Sequence, residues 1–324
     1  MMERIRWGII GCGDVTEKKS GPGFQKARGS ELVAVMRRNG NLAEDYARRH
    51  NVPKWYDKAE SLINDKDVDA VYIATPPSSH KEYALAVARA GKPVYVEKPM
   101  ALNYAECLEI IQACEKANVP LFSAFYRRAL PRFLKIKTLL DEGQIGSVRG
   151  VNLRLYQPPP AQDREGTNHW RVNPSIAGGG YFVDLGAHMI DLLQYMVGPI
   201  VSAIGFSSNQ AKLYKAEDTV SATFTFENGA HGVGLWSFSA NENLDSTEII
   251  GSRGKIIYST FLEIPIMLEI DGTVNRFDIP HPEHVQQPLI QNIVDELLGL
   301  GKSPSTGRTG AMTSWVMDRM LGRL

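Results

Sequence analysis

Three side chains in this sequence stand where a proton could be moved. Lys98 lies in the run VYVEKP, at the end of a strand-like apolar stretch, with Pro99 fixing the chain behind it. A lysine at a strand terminus can hydrogen-bond a substrate oxygen, or lose its own proton when desolvated. Asp184 and His188 stand four apart in GGGYFVDLGAHMID. On a helix that spacing puts a carboxylate and an imidazole on one face, where they form an acid/base pair. The preceding Gly178, Gly179 and Gly180 give the backbone freedom to admit a ligand. The plainer alternative, Asp184 as a helix cap and His188 as a satisfied core histidine, stays open. Asp191 would complete a three-ligand metal face, but no second histidine stands at ligand spacing, so no metal centre is expected.

A second constellation concerns phosphate. GIIGCGDVT places Gly11 and Gly13 directly after the first strand-like run. Glycine there allows a tight turn and lets backbone amides approach a pyrophosphate. The third glycine position of the dinucleotide fingerprint is Thr16, so the fingerprint is incomplete and the following helix is expected to pack less closely. Asp14 would repel a phosphate unless it turns away to cap the helix, with Lys18 and Lys19 offsetting its charge. After the second strand an NAD site needs an acidic side chain for the ribose hydroxyls. This chain instead reads Met36-Arg37-Arg38-Asn39, with no carboxylate before Glu44. Two guanidinium groups suit a 2′-phosphate, so NADP is expected over NAD. Thr75-Pro76-Pro77 follows another strand-like run and cannot continue it, so it should form a wall against the cofactor.

These residues need strands to stand on. From Arg4 to about Ala124, the runs RIRWGII, ELVAVM, VDAVYIAT, PVYVE and VPLFSAF alternate with amphipathic segments. That alternation predicts a doubly wound parallel sheet, with ligands bound beyond the carboxyl ends of its strands. Asn103 with Glu106, and Ser79 with Glu82, have the spacing of helix caps, while Gly91 and Gly143 sit where helices should stop. Beyond about Arg127 the pattern changes. A helix is expected over Pro131 to Glu142, followed by runs of period two such as TVSATFTF, which buries Val220, Ala222, Phe224 and Phe226. Asn228-Gly229 and Asp271-Gly272 are hairpin signals, so this half reads as an antiparallel meander. A helix near Phe182 to Met196 interrupts it, and two more close the chain, near His284 to Leu298 and Thr309 to Leu321. The expected division is 1–124 for the dinucleotide and 125–324 for substrate and oligomerisation.

Lys and Arg total 36 and Asp and Glu total 36, so no net field attracts nucleic acid or an anionic membrane. No run reaches the roughly 18 apolar residues that span a bilayer, and MMERIRWGIIG lacks the pattern of a secretory signal, so a cytoplasmic location is expected. The three cysteines, Cys12, Cys107 and Cys114, have no CxxC spacing and read as small reduced fillers.

Taken together, GIIGCG, ATPPSSH, AGKPVYVEKPMA, AFYRR, HWRVNPSIAGGGYFVDLGAHMIDLL and IIGSRGKI resemble the Gfo/Idh/MocA family of glucose-fructose oxidoreductase-like and inositol dehydrogenase-like enzymes. The resemblance covers nearly the whole chain. It implies a Rossmann domain followed by an α/β domain whose large, open, mostly antiparallel sheet forms a homodimer or homotetramer interface. It implies cofactor contacts from Gly11, Gly13, Asp14, Val15, Arg37, Arg38, Thr75, Pro76, Pro77, His80, Glu97 and Lys98, with a cis bond before Pro99. Lys98 is then implied to contact the reacting hydroxyl, Asp184 to orient substrate and His188 to exchange the proton, with Tyr126, Arg127, His169 and Trp170 lining the pocket. The implied reaction passes a hydride between NADP(H) or NAD(H) and a carbinol carbon of a sugar, sugar lactone or cyclic polyol. Redox-assisted glycoside cleavage and a non-catalytic dinucleotide sensor are the alternatives. The proline-rich segment from Tyr156 to Arg171, too polar for core, reads either as a specificity lid or as an ordinary surface connection.

Overall fold

A computed structural model describes residues 3–167 and 169–324, so one residue of the expected lid segment, Asn168, lies outside the described residues. The chain forms two compact units, one of residues 1–130 and 282–311 and the other of residues 131–281 and 312–324.

In the first unit the apolar runs become six parallel strands, β1 (Ile5–Ile10), β2 (Ser30–Met36), β3 (Lys54–Tyr56), β4 (Ala70–Ile73), β5 (Val94–Val96) and β6 (Leu121–Ser123). Their order is β3-β2-β1-β4-β5-β6. The chain reverses direction of travel across the sheet between β1 and β4, which opens a crevice at the carboxyl ends of those strands. β4 and β5 are buried throughout, as strands covered on both faces must be. One face is aliphatic, with Ile10, Val71, Ile73, Val94 and Val96 in a single buried cluster. The other carries rings: Tyr72 and Tyr95, paired across β4 and β5, stack at 4.8 Å, and Phe24 lies 5.2 Å from Tyr72 and 4.9 Å from Trp7. The helix Gln287–Leu297 returns to this unit and buries Leu289, Ile290, Ile293 and Val294, the i, i+1, i+4, i+5 stripe of an amphipathic helix.

Two local expectations need correction. β3 is absent from the sequence reading, because KWY is three residues long, only partly buried and without an apolar run. Asn103 caps its helix by accepting from Glu106 N–H at 3.0 Å, and Glu106 reaches back to Leu102 N–H, but Ser79 does not cap. A 3-10 turn over Pro77–Ser79 precedes that helix, and the Ser79 hydroxyl turns back to Thr75 Oγ1 at 2.8 Å and to the Pro76 carbonyl at 3.0 Å. Gly91 and Gly143 do end helices, at φ +70° and +66°.

The second unit holds an eight-stranded sheet of β7 (Val148–Tyr156), β8 (Ile200–Ser208), β9 (Thr219–Phe226), β10 (His231–Ser237), β11 (Leu244–Gly251), β12 (Gly254–Tyr258), β13 (Ile266–Ile270) and β14 (Thr273–Phe277), in the order β14-β13-β12-β11-β7-β10-β9-β8. All neighbours are antiparallel except β7 and β10. Val220, Ala222, Phe224 and Phe226 are buried on alternate positions of β9, and Asp271-Gly272 makes a two-residue turn with both φ angles positive. The segment Phe182–Met196 covers the inner face, with the Phe182 ring 5.0 Å from Trp236 and the Trp236 indole N–H donating to Met189 Sδ at 3.3 Å. It begins with a π-helical turn over Phe182–Gly186 before the α-helix Ala187–Met196. Gly186 permits that turn, since a Cβ there would lie 2.7 Å from the Phe182 ring.

Candidate functional site

In the first unit Gly11, Arg37 and Glu97 directly follow β1, β2 and β5, and Thr75 follows β4 after one further residue, Ala74, so all four stand at the carboxyl ends of adjacent strands. Gly11 has φ +94°, and a Cβ there would lie 2.8 Å from Thr75 Cγ2. Its N–H and that of Cys12 both donate to the Met36 carbonyl, at 2.8 and 3.2 Å, which ties the turn to the end of β2. Gly13 differs. A Cβ at Gly13 would meet only the Gly11 carbonyl oxygen, at 3.9 Å, so the protein's own packing does not require glycine there. Open space above an extended backbone, at the turn after the first strand, is what the pyrophosphate of a dinucleotide needs.

Asp14 does not cap the helix. The cap position is Gly13, and Asp14 is the exposed first residue of Asp14–Lys18, where Lys18 offsets its charge at 3.7 Å. Val15 is half-buried in the same turn. Thr16 is fully buried and its hydroxyl donates to the Gly13 carbonyl at 2.8 Å. Arg37 and Arg38 are both exposed, and Arg37 Nη1 lies 3.5 Å from the Cys12 carbonyl. Burial pushes the Cys12 thiol up to about 11, with Arg37 opposing, so it is no nucleophile at neutral pH.

His80 is fully buried, with Nδ1 2.9 Å from the Pro99 carbonyl and Nε2 2.7 Å from the Thr75 carbonyl. Both ring nitrogens face backbone carbonyls, so His80 links the Thr75-Pro76-Pro77 turn to the turn after Lys98. Burial lowers its pKa while the two carbonyls and the Glu97 charge oppose that shift. Pro76 is half-buried and Pro77 buried. The Lys98-Pro99 bond is cis. Glu97 is buried and accepts from the Tyr72 hydroxyl at 2.6 Å and from the Lys98 N–H at 3.0 Å, leaving Lys98 half-exposed beside it. Tyr126 and Arg127 lie in a 3-10 turn after β6, both largely buried, with the guanidinium 5.3 Å from the tyrosine ring.

In the second unit Asp184 is half-buried in the π-helical turn and His188 is buried in the α-helix beyond it, its ring 6.1 Å from that of Phe261. Arg171, which the sequence reading did not single out, sits 3.3 Å from Asp184 Oδ2 through its Nε. Its guanidinium also lies over the Trp170 ring at 4.5 Å and against His169 Nε2 at 3.2 Å. His169 Nδ1 accepts the Arg171 N–H at 3.3 Å. Burial first, then the Arg171 charge, lowers the His169 pKa. A cation next to His169 and Trp170 in HWR was the available signal for Arg171. Asp191 is buried and accepts from the Thr313 hydroxyl at 3.2 Å, and among the described residues no group of three or more His, Cys, Asp and Glu is placed to hold a metal ion.

The triple glycine is filled by the chain itself. Gly178 caps a helix at φ +84°, a Cβ on Gly179 would lie 2.4 Å from Val183 Cγ2, and one on Gly180 would lie 2.5 Å from the Glu217 carbonyl oxygen. Glu217 Oε1 also accepts the Gly180 N–H at 2.8 Å, and burial raises its pKa. The segment after Tyr156 is likewise more than a polar connection: it contains the short helix Ala161–Arg164, and Asp163 is 1% exposed. Asp163 Oδ2 accepts the Tyr181 hydroxyl at 2.8 Å, and burial followed by that bond pushes Tyr181 up to about 12.

Comparison with known proteins accords with these features. Residues 5–125 match an oxidoreductase family with an NAD-binding Rossmann fold, and residues 133–257 match the GFO/IDH/MocA C-terminal domain. The chain is 42% identical to oxidoreductase P35 of Formosa agariphila, over 99% of this chain and 100% of that one. It is 30% identical to myo-inositol 2-dehydrogenase of Thermotoga maritima, over 82% and 78%. A levoglucosan dehydrogenase solved with NADH and levoglucosan shares the fold at a TM-score of 0.87 and 23% identity, with 99% and 97% of the chains covered. The chain belongs to the GFO/IDH/MocA family of oxidoreductases.

Proposed function

We propose that this oxidoreductase transfers a hydride between NADP(H) and a hydroxyl-bearing carbon of a sugar, sugar lactone or cyclic polyol. The observation that carries the reading is internal to the first unit: Lys98 stands at the end of β5, two strands from the open backbone of Gly13 at the end of β1, on the ligand-binding edge of a parallel sheet. Arg37 and Arg38, exposed directly after β2, favour a 2′-phosphate. The relative named myo-inositol 2-dehydrogenase supports a polyol or sugar substrate.

A bound nicotinamide supplies the hydride acceptor or donor. The backbone at Gly11, Gly13 and Val15 would hold its pyrophosphate and Thr75 to Pro77 would wall its side. Lys98 holds the reacting hydroxyl oxygen, with Glu97 fixing the lysine's backbone. Asp184 orients the substrate by accepting from its hydroxyls, and His188 takes the carbinol proton in oxidation and returns it in reduction. Arg171 neutralises and aims Asp184.

We also propose a homodimer or homotetramer through the open sheet. Ile204, Thr223, Val233, Asn152, Glu248 and Ile257 follow one another across six paired strands and so share a face, on which Ile204 and Val233 are 62% and 48% exposed. Sedimentation of Val233→Glu, expected to be monomeric, tests this.

The functional test is a matched titration of NADP(H) and NAD(H), followed by a screen of sugars and polyols by absorbance. Arg37→Ala with Arg38→Ala should abolish the preference for NADP(H). Lys98→Ala and His188→Ala should each lower turnover by roughly a hundred- to ten-thousandfold. Failure to bind either cofactor refutes the reading, and tight binding without net redox turnover redirects it to glycoside cleavage or sensing.

A further inference from the structure

Glu97 is a buried carboxylate in the strand-end turn that carries Lys98, and its two oxygens serve different parts of the chain. Oε2 accepts the Lys98 N–H at 3.0 Å. Oε1 accepts the Tyr72 hydroxyl at 2.6 Å and the side-chain amide of Gln286 at 2.7 Å. Tyr72 comes from the neighbouring β4, but Gln286 arrives from 189 residues later in the chain, at the entry to the helix Gln287–Leu297. Tyr72 is fully buried and Gln286 is 1% exposed. The amide oxygen of Gln286 is 3.5 Å from the Tyr72 hydroxyl, whose one proton goes to Glu97 at the shorter distance.

A carboxylate out of water stays ionised only while donors replace its hydration. Here two neutral donors converge on one oxygen, which frees the other to fix the Lys98 backbone. If the Gln286 donor is lost, the carboxylate is held at Oε1 by Tyr72 alone and is free to swing toward it. The Lys98 N–H then loses its fixed acceptor.

We propose that Gln286 is a positioning residue for Lys98: through Glu97 it sets the aim of the lysine from the far end of the sequence. The proposal rests on the reading of Lys98 as the residue that contacts the reacting hydroxyl. Docking of the helix alone would be a merely structural role for Gln286, and substitution separates the two.

The full-length enzyme is compared with Gln286→Met, which removes the donor, and with Gln286→Glu, whose carboxyl donates as the amide does only while protonated. Gln286→Met should lower kcat about ten- to a hundredfold with cofactor Kd little changed, as for a slightly misplaced catalytic group. Gln286→Glu should regain turnover toward acid pH and lose it as the introduced carboxyl ionises against Glu97, a limb absent from the wild type. A readout independent of turnover is the pH dependence of Lys98 labelling by an amine-reactive reagent, followed by mass spectrometry. In Gln286→Met the labelling curve should depart from that of the wild type, because the backbone that carries the lysine has lost its fixed acceptor. Wild-type kcat and pH profile in both variants, with an unshifted Lys98 labelling curve and only a lower Tm, overturn the proposal. If Gln286→Met does not fold, the pH limb of Gln286→Glu decides alone. If the wild type binds no cofactor and turns over no substrate, the functional reading fails, whereas the Lys98 labelling curve still decides whether Gln286 positions the lysine.

Discussion

Substituting Gly180 by alanine separates two explanations of a glycine run that leads into the residues proposed to handle substrate. If the run admits a ligand, the added methyl group lowers substrate affinity and leaves stability alone. The geometry points the other way. A Cβ on Gly180 would lie 2.5 Å from the Glu217 carbonyl oxygen and 3.0 Å from the Ala216 Cβ. The carbonyl cannot easily retreat, because the next residue is held on both sides, Asp218 N–H donating to Ser208 and the Asp218 carbonyl accepting from Phe238 at 2.7 Å. The Gly180 N–H bond to Glu217 Oε1 would stretch as well. Overpacking of this kind costs about 1–3 kcal/mol, and a weakened bond to a buried carboxylate adds about 1 kcal/mol. For a unit of this size, each kcal/mol lowers Tm by about 2–4 °C, so about 3 kcal/mol corresponds to a fall of roughly 6–12 °C. Differential scanning calorimetry, with substrate KM measured well below the transition, checks both arms. A Gly180→Ala protein whose Tm stays within about 2 °C of the wild type while KM rises would refute the packing argument and restore the ligand reading.

Arg171→Ala removes the cation from Asp184. A half-exposed ion pair contributes about 1 kcal/mol, so KM should rise roughly fivefold with kcat and cofactor Kd little changed in steady-state kinetics, and the His169 pKa should rise in a proton NMR titration because the neighbouring positive charge is gone. Glu17 is held down to about 2 from its ordinary 4.5, first by hydrogen bonds from Arg49, with His50 assisting. Because the folded pKa is the depressed one, this group contributes stability that is full above pH 4.5 and is lost as pH falls toward 2. Glu17→Gln should therefore flatten the loss of urea stability across that window by about 1 kcal/mol, a value kept small by solvent screening.

Where residues close in the chain decide the structure, the sequence was readable. Hydrophobic period and length placed five of the six parallel strands, and Val220, Ala222, Phe224 and Phe226 named the buried face of β9. What hydropathy does not carry is the identity of a neighbour. It gives no reason for β7 to pair in parallel with β10, and β3 pairs with β2 through three residues that hold no apolar pattern. The site divides along the same line. Lys98, Asp184 and His188 are conspicuous because their chemistry is local to a motif. The groups bonded to their chain neighbours are ordinary residues brought there by the fold: a glutamine 189 residues from the glutamate it bonds, and an aspartate in a polar segment that is buried against the Tyr181 hydroxyl. The triple glycine shows why the inference from residue type can mislead. Glycine marks a place where something comes close, and whether that something is a ligand or the chain's own Glu217 carbonyl is a property of the fold. Gly13 and Gly180 make the contrast within one protein: a side chain at the first would point into open space and at the second would strike backbone, so only the first argues for a bound group.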